Sequence, residues 1–261
     1  MQTNASNNLT RERGPAKWLR APFQARQYRG AIAAAKLCGR PLEFLGRYAK
    51  SSGDYPSSVL IRTPTGPVTL DLYSWHDART IHEIFLVEDY RIGLSNSVIV
   101  DFGSNIGISA AYFLSRNRES FAYLFEPVPK NIERLRKNLR RFEGRYHLED
   151  IAVGLQDGTV SFGIEETGRY GGVNLDTGKS INVAARDSNE ILTDIIAKHG
   201  RIDVLKIDVE TMENALIEHL TPEIASRINL LFVEARFETP PLASSHTTSV
   251  NGTVTRCELM T

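Results

Sequence analysis

Several short stretches of this 261-residue chain place acids where acids can do chemistry. Asp101-Phe102-Gly103-Ser104-Asn105-Ile106-Gly107 follows the apolar, β-branched run Val98-Ile99-Val100 and leads into Ile108–Leu114, which reads as a helix. Strand, glycine turn and helix open a nucleotide-binding α/β unit, and the glycines permit positive φ and close backbone approach to a ligand. Asp101 then selects the ligand. A strand-tip carboxylate repels the pyrophosphate that a dinucleotide would put at that helix N-terminus. S-adenosylmethionine has no phosphate and carries a sulfonium and an ammonium, which suit an acidic turn. A NAD(P)-dependent oxidoreductase on the same architecture is the alternative, disfavoured by Asp101 and by only two glycines at a four-residue offset.

Glu126, 25 positions after Asp101 and at the tip of the next apolar run, is placed to accept hydrogen bonds from both hydroxyls of a ribose. Glu149-Asp150-Ile151-Ala152 ends a third run, where Asp150 could accept from an adenine amino group or simply be an exposed acid. The donor-binding set is therefore Asp101, Gly103, Ser104, Asn105, Gly107, Glu126, Pro127, Asp150, Ile151, Ala152 and Asp208, with Asp101 expected at the amino-acid end of the donor.

The densest cluster is Lys206-Ile207-Asp208-Val209-Glu210, where alternation sends Lys206, Asp208 and Glu210 to one side. Glu234 ends the next run. Ligands bind outside the carboxyl ends of parallel strands, so these charges line a pocket floor unless Lys206 merely pairs with the acids. An acceptor hydroxyl needs a base within hydrogen-bond reach, and the catalytic candidates are Asp208, Glu210 and Glu234. Clustered acids raise one another's pKa; the alternative is that they hold Mg²⁺ through oxygen ligands. The six histidines lack zinc-ligand spacing, and His246, in a late loop, is a weaker candidate base.

These residues need a frame. From about residue 97 strands and helices alternate: Val98–Asp101, Phe121–Glu126, His147–Ala152, Val204–Asp208 and Leu230–Glu234 read as strands, with helices starting at Pro129 and, behind the capping pair Asp187 and Glu190, at Ser188. The fold class is α/β, a doubly wound, mostly parallel sheet with an N-terminal helical extension. Residues 1–20 read as disordered, 24–50 as one or two helices broken near Gly39 and Pro41, Ser58–Leu72 as a hairpin and His76–Val87 as a helix. A basic extension, 1–57, thus precedes a catalytic domain, 58–261, whose motif core is 97–236. After Glu234 only Thr253–Leu259 reads as a strand, so the sequence leaves open whether the sheet's last hairpin is complete.

Charge balances to zero overall, but residues 1–50 carry a formal +8 and the remainder −8. A basic leader either is a solvated helix face or docks on an anionic surface. No aromatic–basic platform points to nucleic acid. No apolar run approaches the roughly 20 residues of a membrane span, and two distant cysteines form no disulfide framework, so a cytoplasmic location is expected.

Val98–Gly107, Phe125-Glu126-Pro127, Ala152-Val153-Gly154 with Asp157-Gly158, Lys206–Glu210 and Phe232-Val233-Glu234 together resemble, in order, the motifs of the FkbM-family methyltransferases. Residues 60–96, with Glu83 and Tyr90, resemble the family's lead-in. The resemblance implies a class I methyltransferase fold, S-adenosylmethionine as donor, and O-methyl transfer to a hydroxyl of a sugar, glycan, glycolipid or polyketide-type small molecule. One departure is Thr211-Met212-Glu213, where the family usually has Gly-Ala-Glu. That departure and the short C-terminus are the only support for a further alternative, an inactive donor-binding homologue. The acceptor pocket is expected from loops 51–57, 165–180 and 238–250.

Overall fold

A computed structural model describes residues 25–164, 171–173 and 178–260. The disorder expected for residues 1–20 and most of the glycine-rich loop 165–180 lie outside the described residues. Helices α1 (Ala25–Leu37) and α2 (Pro41–Lys50) break at the expected place, because Gly39 ends one and Pro41 suits the first turn of the next. Strands β1 (Ser57–Ile61) and β2 (Val68–Leu72) form the expected antiparallel hairpin. Helix α3 (Trp75–Ile81) opens on a capping box, Ser74 with Asp77. It then widens into a π-helical turn, His82–Leu86, where one regular helix was expected. The wider turn buries His82, Ile84, Phe85 and Leu86 together, a crowding that 3.6-residue periodicity does not allow.

The main sheet continues with β3 (Val98–Phe102), α4 (Ile108–Leu114), β4 (Phe121–Phe125), α5 (Pro129–Asn138) and β5 (Tyr146–Glu149). The third strand departs from expectation. Its run breaks at Asp150, and β6 (Ala152–Gly154) joins β7 (Gly158–Ile164), β8 (Gly171–Val173) and β9 (Ser180–Asp187) in a separate four-stranded sheet. Helix α6 (Ser188–His199) is capped by the Asp187 carboxylate, which accepts from the Asn189 and Glu190 amides at 2.7 and 3.2 Å. Then come β10 (Ile202–Ile207), α7 (Glu213–His219), α8 (Pro222–Ala225), β11 (Ile228–Val233), β12 (His246–Asn251) and β13 (Val254–Leu259).

Seven strands lie in the order β12-β13-β11-β10-β3-β4-β5, parallel from β5 through β11, with β13 antiparallel to both β11 and β12. The C-terminal hairpin is thus complete, a point the sequence leaves open. Its outer strand escaped notice because it is an edge, polar and largely exposed: His-Thr-Thr-Ser-Val-Asn. Strand order reverses between β3 and β10, and a ligand crevice opens at that switch point, beyond the strands' carboxyl ends. Two apolar layers hold the sheet. One joins Ala34, Cys38 and Phe44 of α1 and α2 to the β1–β2 hairpin, the π turn and α4. The other lies between the sheet and α6–α8. No helix among the described residues is long and apolar enough to cross a membrane.

Candidate active site

The turn after β3 is shaped by what lies behind it. Gly103 has φ of +77°, and a Cβ there would stand 1.9 Å from the Asp208 carbonyl oxygen, so only glycine lets the tips of β3 and β10 meet. The Gly103 and Ser104 amides donate to the Phe125 carbonyl at 3.1 and 3.0 Å, tying the turn to β4. Asn105 takes φ of +48°, which its short polar side chain tolerates, and its amide donates to Glu126 Oε2 at 2.9 Å. Gly107 has a packing role: a Cβ there would press on Leu135 and Leu139.

Asp101 does not line the crevice. Its carboxylate is fully buried behind the turn, accepting from Lys206 Nζ at 3.0 Å and from Ser109 Oγ at 2.6 Å. Lys206, itself buried, also donates to the Gly103 carbonyl at 3.0 Å and pairs with Asp208 at 3.1 Å. Three acceptors meet its three N–H bonds. Burial acts to lower its pKa, but the two carboxylates outweigh burial and hold the ammonium above its ordinary value. The pairing of Lys206 with the acids, weighed as the plainer possibility, is therefore present, and it leaves Asp208 with a 30% exposed side chain facing the crevice.

That crevice is a cavity of about 280 Å³. Gly103, Ser104, Asn105, Glu126 and Pro127 form one wall, Ile151 and Ala152 another, and Asp208, Glu210 and Glu234 the floor. Asp101, Gly107 and Asp150 are absent from its lining; Asp150 is exposed where the chain leaves the main sheet. His246 is likewise removed. It is buried at the start of β12 beside the Ile228 carbonyl, 3.0 Å away at the opposite end of the sheet. Nor do loops 51–57 and 238–250 contribute. The outer wall instead comes from α3 and the π turn, with His76, Arg79 and Glu83, from Arg134 of α5, and from Phe162 and Thr253. Apart from Glu83, which belongs to the family's lead-in, no local pattern marks these residues: His76, Arg79 and Arg134 sit on ordinary amphipathic helices, and Phe162 and Thr253 in a strand and a turn.

Two carboxyls in the cavity are strongly perturbed. Glu126 accepts from the Val128 amide at 3.0 Å and from Asn131 Nδ2 at 3.2 Å, in addition to Asn105. Burial nevertheless pushes it up to about 7. Glu234 is pushed up to about 8, by burial first and then by the neighbouring Asp208, with which it shares a hydrogen bond. Tyr90 Oη donates to Glu234 Oε2 at 3.3 Å and Thr253 Oγ1 to Oε1 at 3.4 Å. Burial, then the charges of Asp208 and Glu234, hold the Tyr90 phenol protonated well above its usual range. Tyr90 and Thr253 were given no role from sequence, since neither is near Glu234 along the chain. Among the described residues no group of three or more His, Cys, Asp or Glu is arranged to hold a metal ion, so Mg²⁺ gains no donor set.

The profile of the methyltransferase FkbM domain matches residues 101–248, which sets aside the nicotinamide alternative. Comparison with curated proteins gives no match. Among solved structures, the chain is similar to a methyltransferase FkbM from Methylobacillus flagellatus KT, at 14% identity and a TM-score of 0.39, over 81% of this chain and 52% of that one. A methyltransferase from Geobacter sulfurreducens is 15% identical, with a TM-score of 0.38 over 64% of this chain and 72% of that one. An O-methyltransferase family protein from Burkholderia thailandensis is 12% identical, with a TM-score of 0.38 over 70% and 58%. The chain spans about half the length of the Methylobacillus protein.

Proposed function

Because this chain belongs to the FkbM methyltransferase family, we propose that it is an S-adenosylmethionine-dependent O-methyltransferase whose acceptor is a hydroxyl of a sugar, glycan, glycolipid or polyketide-type small molecule. The cavity's chemistry suits the donor. Glu126 retains one lone pair, on Oε2, for a ribose hydroxyl, Ile151, Val128 and Phe162 offer apolar contact to a flat base, and Asp208 and Glu210 offer negative charge to a cationic methionyl end. The donor supplies a methyl group on a sulfonium and a leaving group that departs neutral, without acid assistance.

The remaining work falls to the chain. Asp208 and Glu234 form a carboxyl pair that holds one proton near neutrality, with Glu234 as the protonated member. Lys206 pairs with Asp208, while Tyr90 and Thr253 hold the Glu234 carboxyl in place. As the acceptor oxygen bonds to the methyl carbon, its proton passes to Asp208. His76, Arg79 and Arg134 on the outer wall suit a hydroxylated, polar acceptor. The observation that carries this reading is that the glycine turn, Glu126 and the Asp208–Glu234 pair open on one cavity.

Donor binding and transfer are separable by experiment. S-adenosylhomocysteine should bind the wild type and the Glu234→Gln variant alike, and should still bind Asp208→Asn, more weakly for the loss of one charge at the methionyl end. Label transfer from methyl-labelled donor to a hydroxylated acceptor panel should fall by about 10²–10⁴-fold in kcat for Asp208→Asn. Undiminished transfer in both variants would remove the base assignment, and stabilisation by NAD(P)⁺ alone would remove the donor assignment.

A further inference from the structure

Helix α1 presents three different rows. Gly30, Ala34 and Cys38 are buried against the body of the protein. Tyr28, Ile32, Ala35 and Gly39, spaced four, three and four apart, form a second row, and all four are exposed. Tyr28 and Ile32 are 54% and 56% exposed, and the row continues into Leu60, 42% exposed, whose side chain lies 3.2 Å from where a Gly39 Cβ would stand. Just beyond the corner, Leu42 is 85% exposed. In the third row, one residue on, Arg29 and Lys36 are basic and exposed, and past the helix end Arg40 is exposed beside them, 3.5 Å from Glu43. An apolar stripe rimmed by cations is therefore turned outward, on the part of the chain that carries the +8 excess.

We propose that this face of α1 docks the protein on a lipid bilayer bearing anionic headgroups. The charge selects the occupant. A second copy packed symmetrically would oppose basic row to basic row, which costs energy. A bilayer surface accepts Tyr28, Ile32 and Leu42 at the headgroup boundary while Arg29, Lys36 and Arg40 meet phosphates beside them. The 13-residue helix lies on such a surface rather than crossing it. Arg26, in the same helix, forms an ion pair with Asp89, a residue of the cavity wall, at 2.5 Å. A docked helix thus stays tied to the site.

Flotation of the full chain with phosphatidylcholine vesicles, with and without phosphatidylglycerol, tests the proposal independently of methyl transfer. The protein is expected to float with the anionic vesicles only, and to be released by added salt. A Tyr28→Ser/Ile32→Ser pair and an Arg29→Glu/Lys36→Glu pair should each reduce the bound fraction by about tenfold, with melting and S-adenosylhomocysteine binding unchanged because these side chains are exposed. Three results would overturn it: no flotation, flotation indifferent to the Tyr28 and Ile32 substitutions, or a solution dimer that those same substitutions dissociate. The first and second leave the catalytic reading untouched, and the third assigns the face to a second copy.

Discussion

At the scale of single residues, Lys206 governs the cavity floor. It pairs with Asp101 behind the turn and with Asp208 in front of it, so one buried cation ties the shape of the turn to the charge of the cavity floor. Thr211 is the opposite case, a residue the fold tolerates at a cost. Its φ is +75°, a region that β-branched side chains rarely enter, and it is exposed with no packing to compensate. The departure from the family's glycine therefore falls where backbone geometry asks for one. Thr211→Gly should stabilise the protein by about 1 kcal/mol, a rise of roughly 2–4 °C in Tm by calorimetry; an unchanged or lower Tm would count against strain at this turn. The sequence made Glu126 and Asp208 legible because each directly follows an apolar strand. It hid the true role of Asp101, because its partner Lys206 is 105 positions away and strand tips look alike from either side.

Among elements, the π turn links the N-terminal helices to the site. Its His82 is buried, stacks on Tyr48 of α2 with ring centroids 4.1 Å apart, and approaches α1 so closely that a Cβ on Gly30 would lie 2.2 Å from Nε2. The next residue, Glu83, lines the cavity. Gly30→Ala should destabilise by about 1–3 kcal/mol, despite the better helix propensity of alanine. Urea denaturation measures the loss, and faster amide exchange in α1 would locate it; full stability would show that His82 can yield. Periodicity found these helices and their break, since Gly39-Arg40-Pro41 is a local signal. It could not find the π turn or the departure of β6 to another sheet, which depend on distant pairings such as Ala152 with Ala185.

For the molecule as a whole, the perturbed carboxyls link stability to pH. Glu126 and Glu234 hold their protons in the folded state up to about 7 and 8, against ordinary values near 4.5. Between these limits the folded state binds more protons than the unfolded one, so stability falls as pH rises. His82, lowered to about 4 by burial first and then by Arg26, acts with the opposite sign, its contribution being lost as pH falls from 6.5 to 4. From pH 6.5 to 8 the carboxyls dominate, the unfolded-state imidazole being half deprotonated at 6.5 and nearly fully so by about 7.5. Chemical denaturation of the ligand-free protein across that window should show declining stability that levels off above about pH 8, with the decline reduced in Glu234→Gln. A flat profile in the wild type would mean that these groups titrate normally.

Glu234 is held from two directions along the chain, by Tyr90, 144 positions earlier, and by Thr253, 19 positions later in the terminal hairpin. The hairpin also brings Thr253 and Val254 to the cavity wall. On the ribosome, then, the turn and strand from Gly103 to Glu126 emerge long before Glu234 is held from both sides. A nascent chain can thus form the glycine-turn wall of the cavity before the opposite wall exists, and the cavity is enclosed only once the turn between β12 and β13 has been made.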